Sequence, residues 1–299
     1  MVVDGVSWRI LLQDMATAFE QLQQQAGQQQ KSIELQPKTS SFQQWGEFLE
    51  NYANSEALDL EKAYWLAQQE PSVKVLPVDH EEQKSTADNR ISTSKTISFE
   101  LAQTQTHALL NECTSAYRTQ INDLLLSALY LALRQWTEQS TFRIDLESHG
   151  REPLSDTLDL TQTMGWFTSV FPVNLSLASE ASIRDVIKTV KEQLRTVPNN
   201  GIGFGLLQYM AQDAGLTDNA SEILFNYLGQ FDQVVNSDSA FQLANEDVGE
   251  DVSTERQRSH ALEFNGLVTG GQLGFSLRFN GLHYDQETME SCLMALNQP

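Results

Sequence analysis

Hydrophobic residues near the start of the chain recur at helical spacing, three or four positions apart. The pattern over residues 7–24 predicts one amphipathic helix, capped by Ser7, whose apolar stripe needs a partner surface. That stripe consists of Trp8, Leu11, Leu12, Met15, Phe19 and Leu22. Residues 42–53 and 57–69 carry spaced aromatic side chains and predict two more helices. A polar tract over 79–95 follows, which we interpret as a crossing between two parts of the molecule.

After residue 95 the pattern changes to short alternating segments between longer helical ones. Strands are predicted over 96–101, 142–147, 170–177, 223–228, 260–268 and 272–280. Helices are predicted over 103–115, 120–137, 181–196, 206–211 and 286–296. The helix over 120–137 is apolar almost all round, so we expect it to be buried. Thr269-Gly270-Gly271 predicts a hairpin turn, and the acidic stretch 236–255 predicts a loop. Strands alternating with helices predict an α/β protein with a mixed sheet.

Composition narrows the classes of function. The chain has 299 residues with 40 acidic and 19 basic side chains, a formal net charge of -21. Such a surface repels phosphate backbones and anionic bilayers, so we expect neither a nucleic acid nor a membrane as partner. The N-terminus lacks the pattern of a signal peptide. Cys113 and Cys292 are predicted to be buried free thiols of a reducing compartment, which favours a cytoplasmic location. The histidines show no metal-ligand spacing.

The densest group of polar residues follows the predicted strand over 142–147. It reads Leu146-Glu147-Ser148-His149-Gly150-Arg151-Glu152-Pro153. Acids, an imidazole and a guanidinium at a strand end are typical of a cleft, where loops carry function on a rigid scaffold. The alternative is a solvated loop with local ion pairs.

Five motifs occur in order along the chain. They are Asp4-Gly5-Val6-Ser7-Trp8-Arg9-Ile10-Leu11, Glu147-Ser148-His149-Gly150-Arg151-Glu152, Gly165-Trp166-Phe167-Thr168-Ser169, Pro198-Asn199-Asn200-Gly201-Ile202-Gly203-Phe204-Gly205 and Phe225-Asn226-Tyr227-Leu228-Gly229-Gln230-Phe231. This series resembles the condensation-domain superfamily in the form of the epimerization domains of nonribosomal peptide synthetases. The first motif resembles the end of that family's HHxxxDG signature, and the second its ExHGRE motif.

The resemblance implies a fold and an activity. The fold would have two lobes with mixed sheets, each like chloramphenicol acetyltransferase. Residues 1–78 would be a remnant of the N-terminal lobe, 79–95 the linker, and 96–299 a complete C-terminal lobe. The activity would interconvert L- and D-aminoacyl or peptidyl thioesters. The chain would bind no cofactor itself, because the substrate is carried on the 4'-phosphopantetheine arm of a peptidyl carrier protein.

The two histidines of the family signature would stand immediately before Met1. The second of them is the family's acid/base group, so the resemblance implies a fragment that is inactive alone and needs the upstream synthetase segment. Two alternatives stay open. One is a non-catalytic docking protein or remnant of the superfamily, and the other is a standalone acyltransferase, which would also need the histidine.

Inverting a carbon centre requires proton-transfer groups on both of its faces. By resemblance, Glu147 is one such group, and a buried strand end would raise the pKa of its carboxyl. The alternative is that Glu147 only pairs with Arg151. Tyr227, with Asn226, is expected to donate a hydrogen bond to the enolate-like oxygen. The alternative for Tyr227 is a core aromatic residue.

The resemblance assigns structural roles to the Asp4-Gly5 pair. Asp4 is expected to form a buried ion pair that holds the histidine loop, with Arg151 as its partner. His149 lies near Glu147 in sequence, but the family places its active histidine elsewhere, so we do not assign it to catalysis. The turn over 199–205 lacks the Lys-Ser/Thr ending of a phosphate-binding loop, so its glycines are predicted to serve a tight turn.

Overall fold

A computed structural model describes most of the chain. The described residues are 2–25, 32–69, 73–83, 89–178, 180–211, 215–216, 221–230, 246, 249 and 252–297. Most of the predicted acidic loop over 236–255 lies outside them, as does Phe231 of the fifth motif. No helix in this described part combines the length and apolar character needed to cross a bilayer.

Three helices open the chain. They are α1 (Gly5–Gln24), α2 (Phe42–Tyr52) and α3 (Glu56–Gln69). The prediction that Ser7 caps α1 is wrong, because the capping residue is Asp4. The backbone N–H of Ser7 donates to Asp4 Oδ1 at 2.8 Å. A carboxylate at this position also complements the positive end of the helix dipole.

The remaining helices and strands alternate along the chain. In order they are β1 (Ser94–Glu100), α4 (Gln103–His107), α5 (Thr114–Tyr117), α6 (Ile121–Thr137), β2 (Thr141–Ser148), β3 (Ser169–Ser176), α7 (Ile183–Arg195), α8 (Ile202–Tyr209), β4 (Ile223–Gln230), β5 (Leu262–Thr269), β6 (Gln272–Asn280) and α9 (Gln286–Ala295). A single helix was predicted over 103–115, but a π-helical turn, Ala108–Cys113, lies between α4 and α5.

Helix α8 begins earlier than the predicted 206–211. Gly201 has a φ of +86°, so the chain turns and enters the helix directly at Ile202. A Cβ at Gly201 would lie 1.9 Å from Cδ1 of Phe171, so this position also requires glycine for space. Gly201 therefore serves a tight turn and close packing, whereas a Cβ at Gly205 would meet nothing within 4 Å.

The six strands form one mixed sheet in the order β1-β6-β5-β4-β2-β3. Strand β4 is parallel to both of its neighbours, and the other pairs are antiparallel. Every second residue faces the apolar core. In β2 these residues are Phe142, Ile144 and Leu146, all buried. Helices α6, α7 and α9 contribute residues to the same core cluster. Arg143, Asp145 and Glu147 point to the opposite, polar face of the sheet.

Helices α2 and α3 share this core. Trp65 of α3 is fully buried, with its ring centroid 6.1 Å from that of Phe171 and 5.3 Å from that of Phe204. Helix α3 therefore packs on β3 and α8. The division of the chain at 79–95 stays a prediction.

The two cysteines differ in their surroundings. Both are free thiols. Cys292 is buried, and burial raises the pKa of its thiol to about 12. Cys113 is only partly buried, so the prediction of two buried thiols is wrong for this residue. It lies in the π-helical turn, none of whose residues is fully buried.

Two consecutive asparagines shape the turn before α8. Asn199 and Asn200 have φ of 44° and 48°, in the left-handed region that asparagine tolerates better than most residues. The Asn199 amide donates to buried Glu61 at 2.7 Å, and the Asn200 amide donates to buried Glu152 at 2.6 Å. Two buried carboxylates thus hold the turn.

Replacing Asn199 with alanine should lower the free energy of unfolding by about 1–3 kcal/mol, because Glu61 loses a hydrogen bond and alanine resists the left-handed conformation. Denaturant unfolding measures the effect. Asn199→Gly is the matched variant, because it removes the hydrogen bonds to Glu61 and to the Tyr52 hydroxyl while glycine adopts the left-handed conformation freely. Equal stability of wild type and Asn199→Ala would contradict this account.

Candidate active site

A cavity of about 710 Å³ opens where β2 and β4 end. All five motifs contribute residues to its wall. The lining includes Asp4, Gly5, Arg9, Glu147, Ser148, His149, Glu152, Thr168, Asn200, Asn226, Tyr227 and Gly229. The volume lies within the range of sites that hold small molecules. The predicted catalytic residues Glu147, Asn226 and Tyr227 therefore meet at one cavity.

Glu147 is the central carboxyl group of the cavity. It is the penultimate residue of β2, and the alternation of the strand turns it away from the core that Leu146 enters. The Asn226 amide of neighbouring β4 donates to Glu147 Oε2 at 2.6 Å. Burial raises the pKa of Glu147 above its ordinary value of 4.5, and Glu263 adds to the rise. The charge of His260 and the Asn226 hydrogen bond act in the opposite direction.

The raised pKa of Glu147 makes stability depend on pH. Because the folded chain holds this proton more tightly than the unfolded chain, the stabilisation is full below 4.5 and is lost as pH rises through the folded value. Glutamine at 147 cannot ionise, and its amide oxygen can still accept from Asn226. We expect Glu147→Gln to gain stability relative to wild type between about pH 4 and about pH 8. Urea unfolding at both pH values measures this, and a stability difference that does not change with pH would contradict it.

Tyr227 follows Asn226 on β4 and lines the same cavity. Burial raises the pKa of its phenol, and the positive charge of Arg9 partly opposes the rise. Arg9 of α1 donates to the carbonyl oxygen of Leu228 at 2.6 Å. This bond ties α1 to β4 beside the tyrosine. A neutral phenol at a cavity wall is able to donate a hydrogen bond.

Asp4 and Arg151 form a two-pronged ion pair. Arg151 Nη1 lies 2.6 Å from Asp4 Oδ2, and Nη2 lies 3.1 Å from Oδ1. Both side chains are at most 7% exposed. The guanidinium also donates to Ser7 Oγ and to the carbonyl oxygen of Thr163, and it stacks 4.0 Å from the ring centre of Phe167. Arg151 is therefore directed at Asp4, and the alternative that Glu147 pairs with Arg151 is wrong.

Burial alone would raise the pKa of Asp4. Hydrogen bonds from Arg151, from both donors of Ser7 and from the backbone N–H of Phe167 outweigh burial and lower the pKa of this carboxyl. Asp4 is thus held as a carboxylate at the start of α1. Gly5, the first residue of that helix, lines the cavity next to it.

The loop after β2 requires glycine between His149 and Arg151. Gly150 has a φ of +66°, and a Cβ there would lie 1.7 Å from the carbonyl oxygen of Phe167. This conformation turns the Arg151 side chain inward. His149 remains 58% exposed, and its Nδ1 accepts from the backbone N–H of Arg151 at 3.0 Å. That His149 has no catalytic role stays a prediction.

Sequence reasoning missed several polar partners of the site. Glu152 is buried on the cavity wall, and its position as the last residue of the second motif was the available signal. Its hydrogen bond from Asn200 joins two motifs that lie far apart in the chain. A pair between Asp145 and His260 was also missed. Asp145 shares a strand face with Glu147, but no pattern in the sequence identifies its partner.

A mixed sheet with helices on its apolar face and a polar cavity at the end of β2 define an α/β protein of the chloramphenicol acetyltransferase-like class. The chain belongs to the condensation domain family, whose sequence profile matches residues 1–298. The predicted recognition is thereby confirmed.

Proteins of similar sequence include subunits of nonribosomal peptide synthetases. One of the linear gramicidin synthase proteins of Brevibacillus parabrevis is 43% identical over 296 residues, which are 97% of this chain and 4% of that protein. Bacitracin synthase 2 of Bacillus licheniformis is 39% identical over 299 residues, which are 100% of this chain and 11% of that protein. The chain therefore spans only a small part of these relatives.

Solved structures show the same fold. The epimerization domain from the third module of tyrocidine synthetase B matches with a TM-score of 0.88 and 36% identity, over 99% of this chain and 65% of that one. A condensation domain that mediates chain release from the enacyloxin polyketide synthase matches with a TM-score of 0.70 at 14% identity, over 99% of this chain and 55% of that one. The second likeness shows the fold alone.

Proposed function

We propose that this chain is the part of an epimerization domain that supplies one of its two proton-transfer groups. The substrate is an aminoacyl or peptidyl thioester on the phosphopantetheine arm of a carrier protein. The observation that carries the proposal is the buried carboxyl of Glu147 at the cavity wall, with Asn226 bonded to it and Tyr227 beside it. The likeness to the tyrocidine synthetase epimerization domain supports it.

The reaction removes the α-proton from one face of the substrate and returns a proton to the other. The thioester carbonyl takes up the electron pair as an enolate, so no oxidant or reductant is needed. A carboxyl group with a raised pKa is suited to exchange protons near neutral pH. The phenol of Tyr227 is suited to donate a hydrogen bond to the enolate oxygen.

The opposite face of the substrate needs a second group. By resemblance, this is a histidine from the segment preceding Asp4, and the ion pair of Asp4 with Arg151 holds that segment in place. We propose that exchange of the α-proton requires this second group in addition to Glu147. The phosphopantetheine arm belongs to the carrier protein, so the chain binds no cofactor of its own.

Exchange of the α-proton in heavy water tests the proposal. An aminoacyl-loaded carrier protein is incubated with the chain alone and with the chain extended at its N-terminus by the corresponding segment of the tyrocidine synthetase epimerization domain. We expect exchange and racemisation only with the extended chain. Rapid exchange by the chain alone would contradict the need for the upstream segment. No exchange by the extended, folded chain would contradict the epimerase assignment.

A second candidate is a non-catalytic docking protein. One face of α1 favours it, because Trp8, Met15, Phe19 and Leu22 are 45 to 51% exposed. An apolar stripe of this kind favours association. Light scattering separates the candidates, because docking through this stripe predicts oligomers that disperse in the Met15→Lys and Phe19→Lys variants. A clean monomer with cooperative unfolding would count against this candidate.

A further inference from the structure

A second ionisable pair lies on the polar face of the sheet near Glu147. His260 Nε2 lies 2.9 Å from Asp145 Oδ2, and the hydroxyl of Ser221 donates to Asp145 Oδ1. The other ring nitrogen of His260 lies 3.0 Å from Ser259 Oγ. The side chains of His260 and Asp145 are only 10% and 17% exposed. Both nitrogens of a nearly buried imidazole therefore have polar neighbours.

Strand register brings this pair next to the catalytic carboxyl. Asp145 and Glu147 are two residues apart on β2, so their side chains leave the strand on the same face. Ser221 lies in the segment that leads into β4, the parallel neighbour of β2, and His260 lies in the segment that leads into β5, the next strand of the sheet. The pair therefore lies on the same face of the sheet as Glu147, beside the position two residues earlier on β2. Neither residue lines the cavity.

Other charged groups surround Glu147. Glu263 of β5 faces it and is itself 3.8 Å from Arg258 and 3.7 Å from Arg278. On the cavity side are Arg9, His149 and Glu152, and on β2 itself Arg143 and Asp145. The cations near Glu263 are held by that carboxyl, and Arg143 is held by the carbonyl oxygen of Gln68 at 2.6 Å. The partner of His260, Asp145, occupies the same-face position of β2 next to Glu147.

We propose that His260, held by Asp145, is a positioning residue that sets how readily Glu147 takes up and releases its proton. With its own proton, His260 favours the carboxylate form of Glu147, and without that proton it favours the neutral form. A group that must both accept and return a proton works best when neither form is strongly preferred. The catalytic meaning of this inference rests on the proposed function, while the electrostatic coupling does not.

Burial and Glu263 both raise the pKa of Glu147, and the charge of His260 lowers it. The charge of His260 therefore opposes the rise in the pKa of Glu147 that burial at the cavity wall causes. A change of charge at His260 should therefore be visible in the carboxyl signal of Glu147.

Carbon-detected NMR of the full chain with labelled glutamate carboxyls tests the proposal without substrate. The Glu147 signal is assigned by its loss in Glu147→Gln. We expect His260→Gln to shift the titration midpoint of Glu147 upward, and His260→Arg, which keeps a cation beside Asp145, to return it toward wild type. His107→Gln is the control, because that side chain is 69% exposed and lies on α4. The control should leave the midpoint unchanged.

A Glu147 midpoint that is the same in folded wild type and His260→Gln would overturn the proposal, because a role in packing alone changes stability and not the midpoint. If His260→Gln does not fold, the pH titration of the wild-type Glu147 signal still tests the proposal. Its Glu147 signal must show a second inflection at the pH where the His260 imidazole titrates, and a single inflection overturns the proposal. If the coupling between His260 and Glu147 is present but the extended wild-type chain does not exchange the α-proton, the proposed function is contradicted instead.

Discussion

Replacing Glu147 with glutamine should slow α-proton exchange by about 10²–10⁴-fold, the usual contribution of a positioned acid or base. The measurement uses the chain extended by the upstream segment and an aminoacyl-loaded carrier protein in heavy water. Glutamine has nearly the shape of glutamate and retains an acceptor for the Asn226 amide. It cannot take up or release the proton. The loss should therefore fall on the rate of exchange and not on binding of the carrier protein.

The matched control is Glu112→Gln, because Glu112 lies in the π-helical turn with a side chain that is 73% exposed. This control should exchange at the wild-type rate. Glu147→Gln with a wild-type rate would remove Glu147 from the mechanism. A variant that loses carrier binding together with exchange would point to a role in holding the substrate.

Replacing Arg151 with methionine should lower the free energy of unfolding by about 3–5 kcal/mol, because it leaves the buried carboxylate of Asp4 without its counter-ion. Both partners are almost inaccessible to water, so solvent cannot substitute for the guanidinium. Arg151 also holds the backbone of Thr163 and stacks on Phe167, and methionine loses both contacts. Urea unfolding followed by tryptophan fluorescence measures the change.

Arg90→Met is the control, because its ion pair with Glu255 is exposed on both sides and should contribute at most about 1 kcal/mol. The double variant Asp4→Asn with Arg151→Met should recover part of the stability, since it removes the unpaired charge. If Arg151→Met lowers the free energy of unfolding no more than Arg90→Met does, the buried pair does not hold the start of α1 against the loop after β2.

The local pattern of the chain was sufficient to predict most helices and strands. Alternation over 142–147 and the 3.6-residue period over 120–137 each reflect one element's own surroundings. Two of the boundary errors arose where the backbone departs from a regular period. Gly201 enters α8 through a positive φ, and a π-helical turn interrupts the predicted helix over 103–115. A prediction based on regular periods cannot represent either.

The site was predictable only where residues belong to a known motif. Glu147, Asn226 and Tyr227 were predicted from resemblance, and the structure places them at one cavity. The bond between Asn200 and Glu152 depends on how two distant turns meet. The pair of His260 with Asp145 depends on strand order in the sheet. Both contacts join residues that are far apart in the chain, so no local spacing in the sequence predicts them.

Strand β2 has a consequence for exchanging segments between synthetases. Its alternation assigns Ile144 and Leu146 to the core and Asp145 and Glu147 to the polar face. A recombination joint that adds or removes one residue inside Thr141–Ser148 would turn the acids into the core and the hydrophobic residues toward the cavity. Chimeric proteins should therefore tolerate joints in the preceding helix-to-strand turn far better than joints within the strand. All residues of β2 in a chimera should therefore come from the same parent protein.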